Sequence, residues 1–281
     1  MQYSLNDLLY LMKRLRHPED GCAWDLKQTP NEIVKHSIEE VYELVEAIES
    51  GSDDEIKREL GDVLFQVVFL SRIFEEEKKF SFEDIINSLC NKLITRHPHI
   101  FVDGNLYSQK KTTISGINEE QVSINWEKIK LNERLEKKLN NFFDDIPLAL
   151  PALSRAYKLQ KRASSVGFEF ESLQDVLSKL KEEISELDLI LANKNSDDIK
   201  NKKYHIEEEL GDIFFSTVNL TRFLSMDPEH VLRRSNKKFI KRVDLILSIL
   251  DQRDGISWES SADQIIKERL EELWIEIKQK E

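Results

Sequence analysis

The sequence predicts an all-α protein made of two tandem helical units, and three observations predict it. Glycine and proline are scarce, 8 and 6 in 281 residues, while Leu, Ile, Glu and Lys dominate, which is the composition of stable helices. No stretch shows the period-two alternation of a strand or a βαβ order. One acidic pattern occurs twice: Glu39, Glu40 and Glu43 followed by Glu59 and Asp62, then Glu182, Glu183 and Glu186 followed by Glu209 and Asp212. Laying Glu59 to Phe74 over Glu209 to Leu224 matches Glu59, Leu60, Gly61, Asp62, Phe65, Val68, Leu70 and Arg72 with identical residues, so the chain contains an internal repeat.

The elements follow in order. An amphipathic helix carrying Leu5, Leu8, Leu9, Met12 and Leu15 stops near His17-Pro18, and a turn at Gly21 leads into a loop holding Trp24-Asp25. The first carboxylate helix runs from about Asn31 to Ser50 and breaks at Gly51-Ser52-Asp53. The second runs from about Asp53 to Lys78. A third, from about Phe82 to Arg96, ends at His97-Pro98. From Gly104 the sequence turns polar and reads as a linker, so the predicted organisation is one unit at 1–104, a linker at 105–143 and a second unit at 144–281. In that second unit Pro147 and Pro151 introduce a helix through Arg162, and Gly167 marks a turn. Phe168-Glu169-Phe170 takes the place of Trp24-Asp25. Acidic helices recur at about Ser172 to Leu191 and Asp197 to Leu224, and a basic helix follows Pro228. The aromatic Phe65, Phe69, Phe214 and Phe215 are expected in the core.

Charge and cysteine content narrow the class. A net charge of -12 gives no positive field to draw phosphate polymers, so neither direct nucleic-acid binding nor binding to an anionic membrane surface is expected. The longest apolar runs, Val63 to Leu70 and Ile146 to Leu153, are too short to span a bilayer. Cys22 and Cys90 lack the spacing of a zinc site or a disulfide framework. Together with an N-terminus that does not read as an export signal, they suggest a reducing cytoplasm.

The repeated acids carry the chemistry. Residues three apart share a helix face, so Glu40 joins Glu43 and Glu59 joins Asp62. Two such helices packed antiparallel converge four carboxylates. A pair about 5 Å apart repels by about 3 kcal/mol at an effective dielectric near 20, and only a cation or protonation makes several such pairs tolerable. Without His three residues after an acid, the pattern departs from di-iron bundles. Oxygen-only ligands suit Mg²⁺, with Mn²⁺ as a substitute, and such ions share their shell with substrate phosphates. Lys238 and Arg242 follow the second acid set at a spacing of four, and Lys92 and Arg96 follow the first; each pair could hold phosphate oxygens. Phosphate-cradling glycine loops and nucleophile elbows are missing from the sequence. His97 and His99 read as packing at a helix end, and Trp274 either packs or stacks on a base. Two other readings stay open: a nucleotide-binding or partner-binding module without turnover, and an acidic scaffold without metal.

The run Leu15-Arg16 through Gly21-Cys22-Ala23-Trp24-Asp25, the Glu39 to Glu43 motif, Glu59-Leu60-Gly61-Asp62 and Arg96-His97-Pro98-His99 resemble the MazG family of nucleoside triphosphate pyrophosphohydrolases. The second unit resembles it through Leu150-Pro151-Ala152-Leu153, Val166-Gly167-Phe168, Glu209-Leu210-Gly211-Asp212 and Asn236-Lys237-Lys238-Phe239. The resemblance implies tandem four-helix-bundle-like domains completed by homodimerisation. It also implies Mg²⁺-dependent hydrolysis of NTPs or dNTPs, ATP included, to monophosphate and pyrophosphate, with the C-terminal domain the usual catalytic one. Carried over by motif, Glu183, Glu186, Glu209 and Asp212 would hold the metal and carry catalysis. Lys179, Glu182, Glu183, Glu208, Asp212, Lys238, Arg242 and Trp274 would contact nucleotide. Glu40, Glu43, Glu59 and Asp62, with Lys92 and Arg96, would form a second set. Two residues depart from the family pattern: Ala23 stands where proline is expected, and His205 where a basic residue is usual.

Overall fold

A computed structural model describes residues 2–107, 141–192, 199–255 and 267–280, together with residues 122, 125, 126, 129 and 133. Every regular element among them is a helix. The chain forms two compact units, Met1–Glu133 and Arg134–Glu281.

In the first unit the helices are α1 (Leu5–Leu15), α2 (Ala23–Lys27), α3 (Pro30–Ser50), α4 (Asp53–Glu76) and α5 (Phe82–Arg96). Their ends are written in the sequence. Ser4 and Asp7, Thr29 and Glu32, and Ser81 and Asp84 form capping boxes that satisfy the free N–H groups at the starts of α1, α3 and α5. Pro30 occupies the first turn of α3, where no N–H is needed, and Gly51 ends that helix at φ 81°, a left-handed conformation that glycine adopts without strain. Ser52 caps α4 directly afterwards, so the α3–α4 turn is tight and the two helices pack along each other. Gly21 is needed for space: a Cβ there would sit 2.5 Å from the carbonyl oxygens of Leu15 and His17. Where the sequence suggests a loop at Trp24-Asp25, the backbone makes the single turn α2, whose Asp25 carbonyl accepts a hydrogen bond from buried Arg16. Met12, Ile33, Val68, Phe69 and Ile73 form the core, with Phe65 packed against it.

In the second unit the helices are α6 (Ala152–Ser164), α7 (Leu173–Ala192), α8 (Ile199–Phe223), α9 (Pro228–Asp254) and α10 (Lys267–Lys280). α7 packs along α8 as α3 does along α4, and α6 packs on both α8 and α9. Asp227 accepts from the His230 N–H at 2.7 Å, with Pro228 in the first turn, so α9 begins before the basic stretch. Ile246, Leu250, Leu273 and Ile277 bind α9 to α10. Buried Arg162 makes a two-point ion pair with Asp145 at 2.7 and 2.8 Å and donates to the Phe142 carbonyl. The predicted linker falls mostly outside the described residues, and so does the Asn/Lys/Ser/Asp stretch between α7 and α8.

Phe214 and Phe215, expected in the core, are 62% and 45% exposed. The apolar run that begins at Ile213 wraps around α8, and α7 and α6 cover only part of its circumference; Val218 and Ser216 face inward instead. In α4 the same helical positions leave Leu60 and Leu64 exposed while Val68 and Phe69 are buried.

Candidate metal and nucleotide site

Each pair of packed acidic helices gathers its carboxylates. In the second unit one oxygen each from Glu183 on α7 and Glu209 and Asp212 on α8 come within 4.8 Å of one another. In the first unit Glu40 and Glu43 on α3 and Glu59 on α4 do the same. The fourth acid of each set lies outside these groups but its charge still reaches them: Glu186 acts on Glu209, and Asp62 acts on Glu40. Burial, followed by these neighbouring charges, pushes the carboxyls of Glu209 and Glu40 above the ordinary range.

The carboxylate oxygens are short of partners. Glu59 is 4% exposed and its Oε2 has no hydrogen-bond donor among the described residues; the same holds for Glu209 Oε2. Buried carboxylate oxygens are costly unless something positive meets them. A hard divalent cation fits this donor set, since every converging atom is an oxygen. The first unit meets part of the charge with Arg58, 2.8 Å from Glu59, and Gln66 Nε2 lies 3.5 Å from Glu40. In the second unit the ammonium of Lys179 lies 2.7 Å from Glu183 and 3.0 Å from Glu182, and both acids raise its pKa. His36 occupies the Lys179 position of the first unit, 3.7 Å from Glu39 and beside the Trp24 ring.

The basic helices follow the acidic ones. α5 comes after α4 through a five-residue turn and contacts it, and α9 comes after α8 and contacts it. Arg96 is the last residue of α5, about 21 Å along it from Phe82, and Arg242 stands about 21 Å along α9 from Pro228, with Lys238 one turn earlier. The Arg242 guanidinium lies over the Trp274 ring at 5.4 Å and Phe239 stands at 5.8 Å, which draws Trp274 into packing as well as leaving part of its surface open. Glu208 is turned toward its own helix, 3.2 Å from His205 and bonded to Tyr204.

The family model described as the MazG nucleotide pyrophosphohydrolase domain matches residues 28–101 and 171–247, one copy over each acidic helix pair. The chain belongs to the MazG family. It is 39% identical over 278 residues to the nucleoside triphosphate pyrophosphohydrolase of Escherichia coli (strain K12), covering 99% of this chain and 98% of that protein. It is 41% identical over 268 residues to the nucleoside triphosphate pyrophosphohydrolase/pyrophosphatase MazG of Thermotoga maritima, covering 95% and 93%. An uncharacterized Bacillus subtilis protein, YabN, matches at 35% over 96% of this chain but only 51% of its own length.

Three features around the MazG acids escape a reading of the sequence. Trp126 and Glu133, which fall in the stretch that reads as a linker, stand against Arg96 at the end of α5. The signal for Trp126 lay in the repeat, since each basic helix is followed by a tryptophan. Gln66 contacts Glu40 from a position that looks like plain core. Among the described residues, and apart from their own helix, Gly61 and Gly211, each inside a helix beside the acids, have nothing within 4 Å of an added Cβ. Glycine inside a helix costs about 1 kcal/mol relative to alanine, and packing among the described residues gives no reason for it at either place.

Proposed function

We propose that the chain hydrolyses nucleoside and deoxynucleoside triphosphates, ATP among them, to the monophosphate and pyrophosphate by attack at the α-phosphorus, and that the C-terminal copy does the work. The observation that carries this is the oxygen-only cluster of Glu183, Glu209 and Asp212, with Lys179 at its edge and the Lys238/Arg242 helix beside it. Glu183, Glu186, Glu209 and Asp212 would hold Mg²⁺, with Mn²⁺ as a substitute. The ion would supply charge neutralisation and polarisation of the phosphates. A carboxylate oxygen not committed to the ion orients the attacking water. Lys179, at the edge of the cluster, would meet the polyphosphate, while Lys238 and Arg242 would meet the charge that builds on departing pyrophosphate. Trp274 offers a ring face to any base, which fits broad substrate use.

The MazG copies expose apolar stripes that a second copy of the chain would cover: Leu60, Leu64 and Val67 on α4, and Leu210 and Phe214 on α8, each beside the open glycine of its helix. We read these as homodimer faces. A cytoplasmic setting suits the two free cysteines, and no helix among the described residues is long and apolar enough to cross a membrane.

The test is incubation of the purified protein with NTPs and dNTPs, with and without Mg²⁺, resolving nucleotide products and pyrophosphate, and repeated with Glu183→Ala and Glu40→Ala. Monophosphate plus pyrophosphate, lost with Glu183→Ala and kept with Glu40→Ala, is the expected result. Diphosphate plus phosphate would refute the bond assignment, and nucleotide bound without product would favour a binding module.

A further inference from the structure

We propose that Glu133 governs whether the first copy accepts a triphosphate, by occupying the guanidinium that would otherwise meet the phosphates. This rests on the reading above, in which the basic pair after each acidic helix contacts polyphosphate. Arg96 stands at the end of α5, at the helix position that Arg242 takes in α9 of the second copy, 14 residues from the start of each helix. The two arginines are built into the same stack from different stretches of chain: Arg96 lies 5.4 Å from the Trp126 ring centroid, as Arg242 does from that of Trp274. His97 stands edge-on to Trp126, ring centroids 5.2 Å apart, and is itself tied by Nδ1 to the Leu93 carbonyl at 2.6 Å, so the ring is held in place.

On this fixed platform Glu133 makes a fork-to-fork contact, Nε to Oε1 at 2.9 Å and Nη2 to Oε2 at 2.5 Å. That is the geometry in which arginine binds a phosphate, and the carboxylate imitates the ligand. The pair is well shielded, with side chains 20% and 29% exposed, so an arriving polyphosphate must break a contact that water screens only in part. The first cluster has His36 where the second has Lys179, so the lysine contact to phosphate proposed for the second copy falls to a histidine in the first. Glu133 thus sets how readily Arg96 of the first copy can meet a phosphate.

The experiment uses the full-length chain with the second site disabled by Glu183→Gln and Asp212→Asn. The probe is a fluorescent α,β-methylene analogue of ATP in excess Mg²⁺, read by anisotropy. Removing the carboxylate by Glu133→Gln, and independently by Glu133→Ala, is expected to tighten binding about tenfold, and adding Arg96→Met is expected to abolish the gain. Unchanged or weaker binding in both variants with helicity retained would overturn the proposal, as would a gain that survives Arg96→Met. Turnover by the unmodified chain is measured in the same series. Product formation without a gain in the Glu133 variants sinks this proposal alone, whereas no turnover and no binding anywhere sinks the reading beneath it too.

Discussion

Replacing Lys179 with Met should destabilise the metal-free protein and increase its response to Mg²⁺. The ammonium lies 2.7 Å from Glu183 and 3.0 Å from Glu182. At an effective dielectric near 20 either contact is worth about 6 kcal/mol, and at the dielectric of water about 1.5. Lys179 is 39% exposed and Glu182 55%, so solvent reduces the Glu182 contact to the few tenths of a surface helix pair; Glu183, at 7%, keeps the larger part. The expected loss is about 1–2 kcal/mol, or about 3–6 °C in melting temperature for a unit of this size. What remains is a buried carboxylate with the oxygens of Glu209 and Asp212 within 4.8 Å and less positive charge among them, which binds a divalent cation more tightly. A ligand stabilises by RT ln(1 + [L]/Kd), so tenfold tighter binding adds about 1.4 kcal/mol at saturation. The assay is thermal unfolding in EDTA and across an Mg²⁺ titration, for wild type and Lys179→Met. A variant that melts with wild type in EDTA, or gains no more from Mg²⁺, would refute the counter-ion argument.

Three other outcomes are expected. Gly211→Ala should raise stability by about 0.5–1 kcal/mol, read by urea unfolding, since its Cβ has open space; a loss of dimer or turnover in the same variant would mark what approaches from outside the chain. Arg162→Met removes the two-point contact to Asp145 and the donor to the Phe142 carbonyl, and should cost about 2–3 kcal/mol in the same assay. The two-point contact from Arg222 holds the Glu169 carboxyl below its ordinary range, so its contribution is complete above that range and is lost as the pH falls through the lowered value. Wild type should therefore exceed Glu169→Gln by about 1 kcal/mol at pH 7, with the gap closing on the acid side of about pH 4.3.

What could be read in the sequence was what helical periodicity governs. A spacing of three puts Glu40 with Glu43, a short capped turn folds α3 onto α4, and the convergence of carboxylates follows from those two facts before any coordinate is known. Helix ends were legible for the same reason, because capping is a contest among neighbours within four residues. Local pattern failed where the outcome depends on distant surfaces. Phe214 and Phe215 are as apolar as Phe65 and Phe69, but whether an apolar side chain is buried is decided by which faces of its helix other elements cover, and α8 is covered on part of its circumference only. Glu133 is the sharper case. It is one acid in a polar stretch, 37 residues from Arg96, and no local pattern points to the guanidinium it meets. Duplication conceals such residues, because alignment of the copies draws attention to what they share. The acids are shared, so they report the common chemistry; Lys179 against His36, Gln66 against Ser216 and the Glu133 contact on Arg96 are where the copies can differ in affinity for the same ion and the same phosphates.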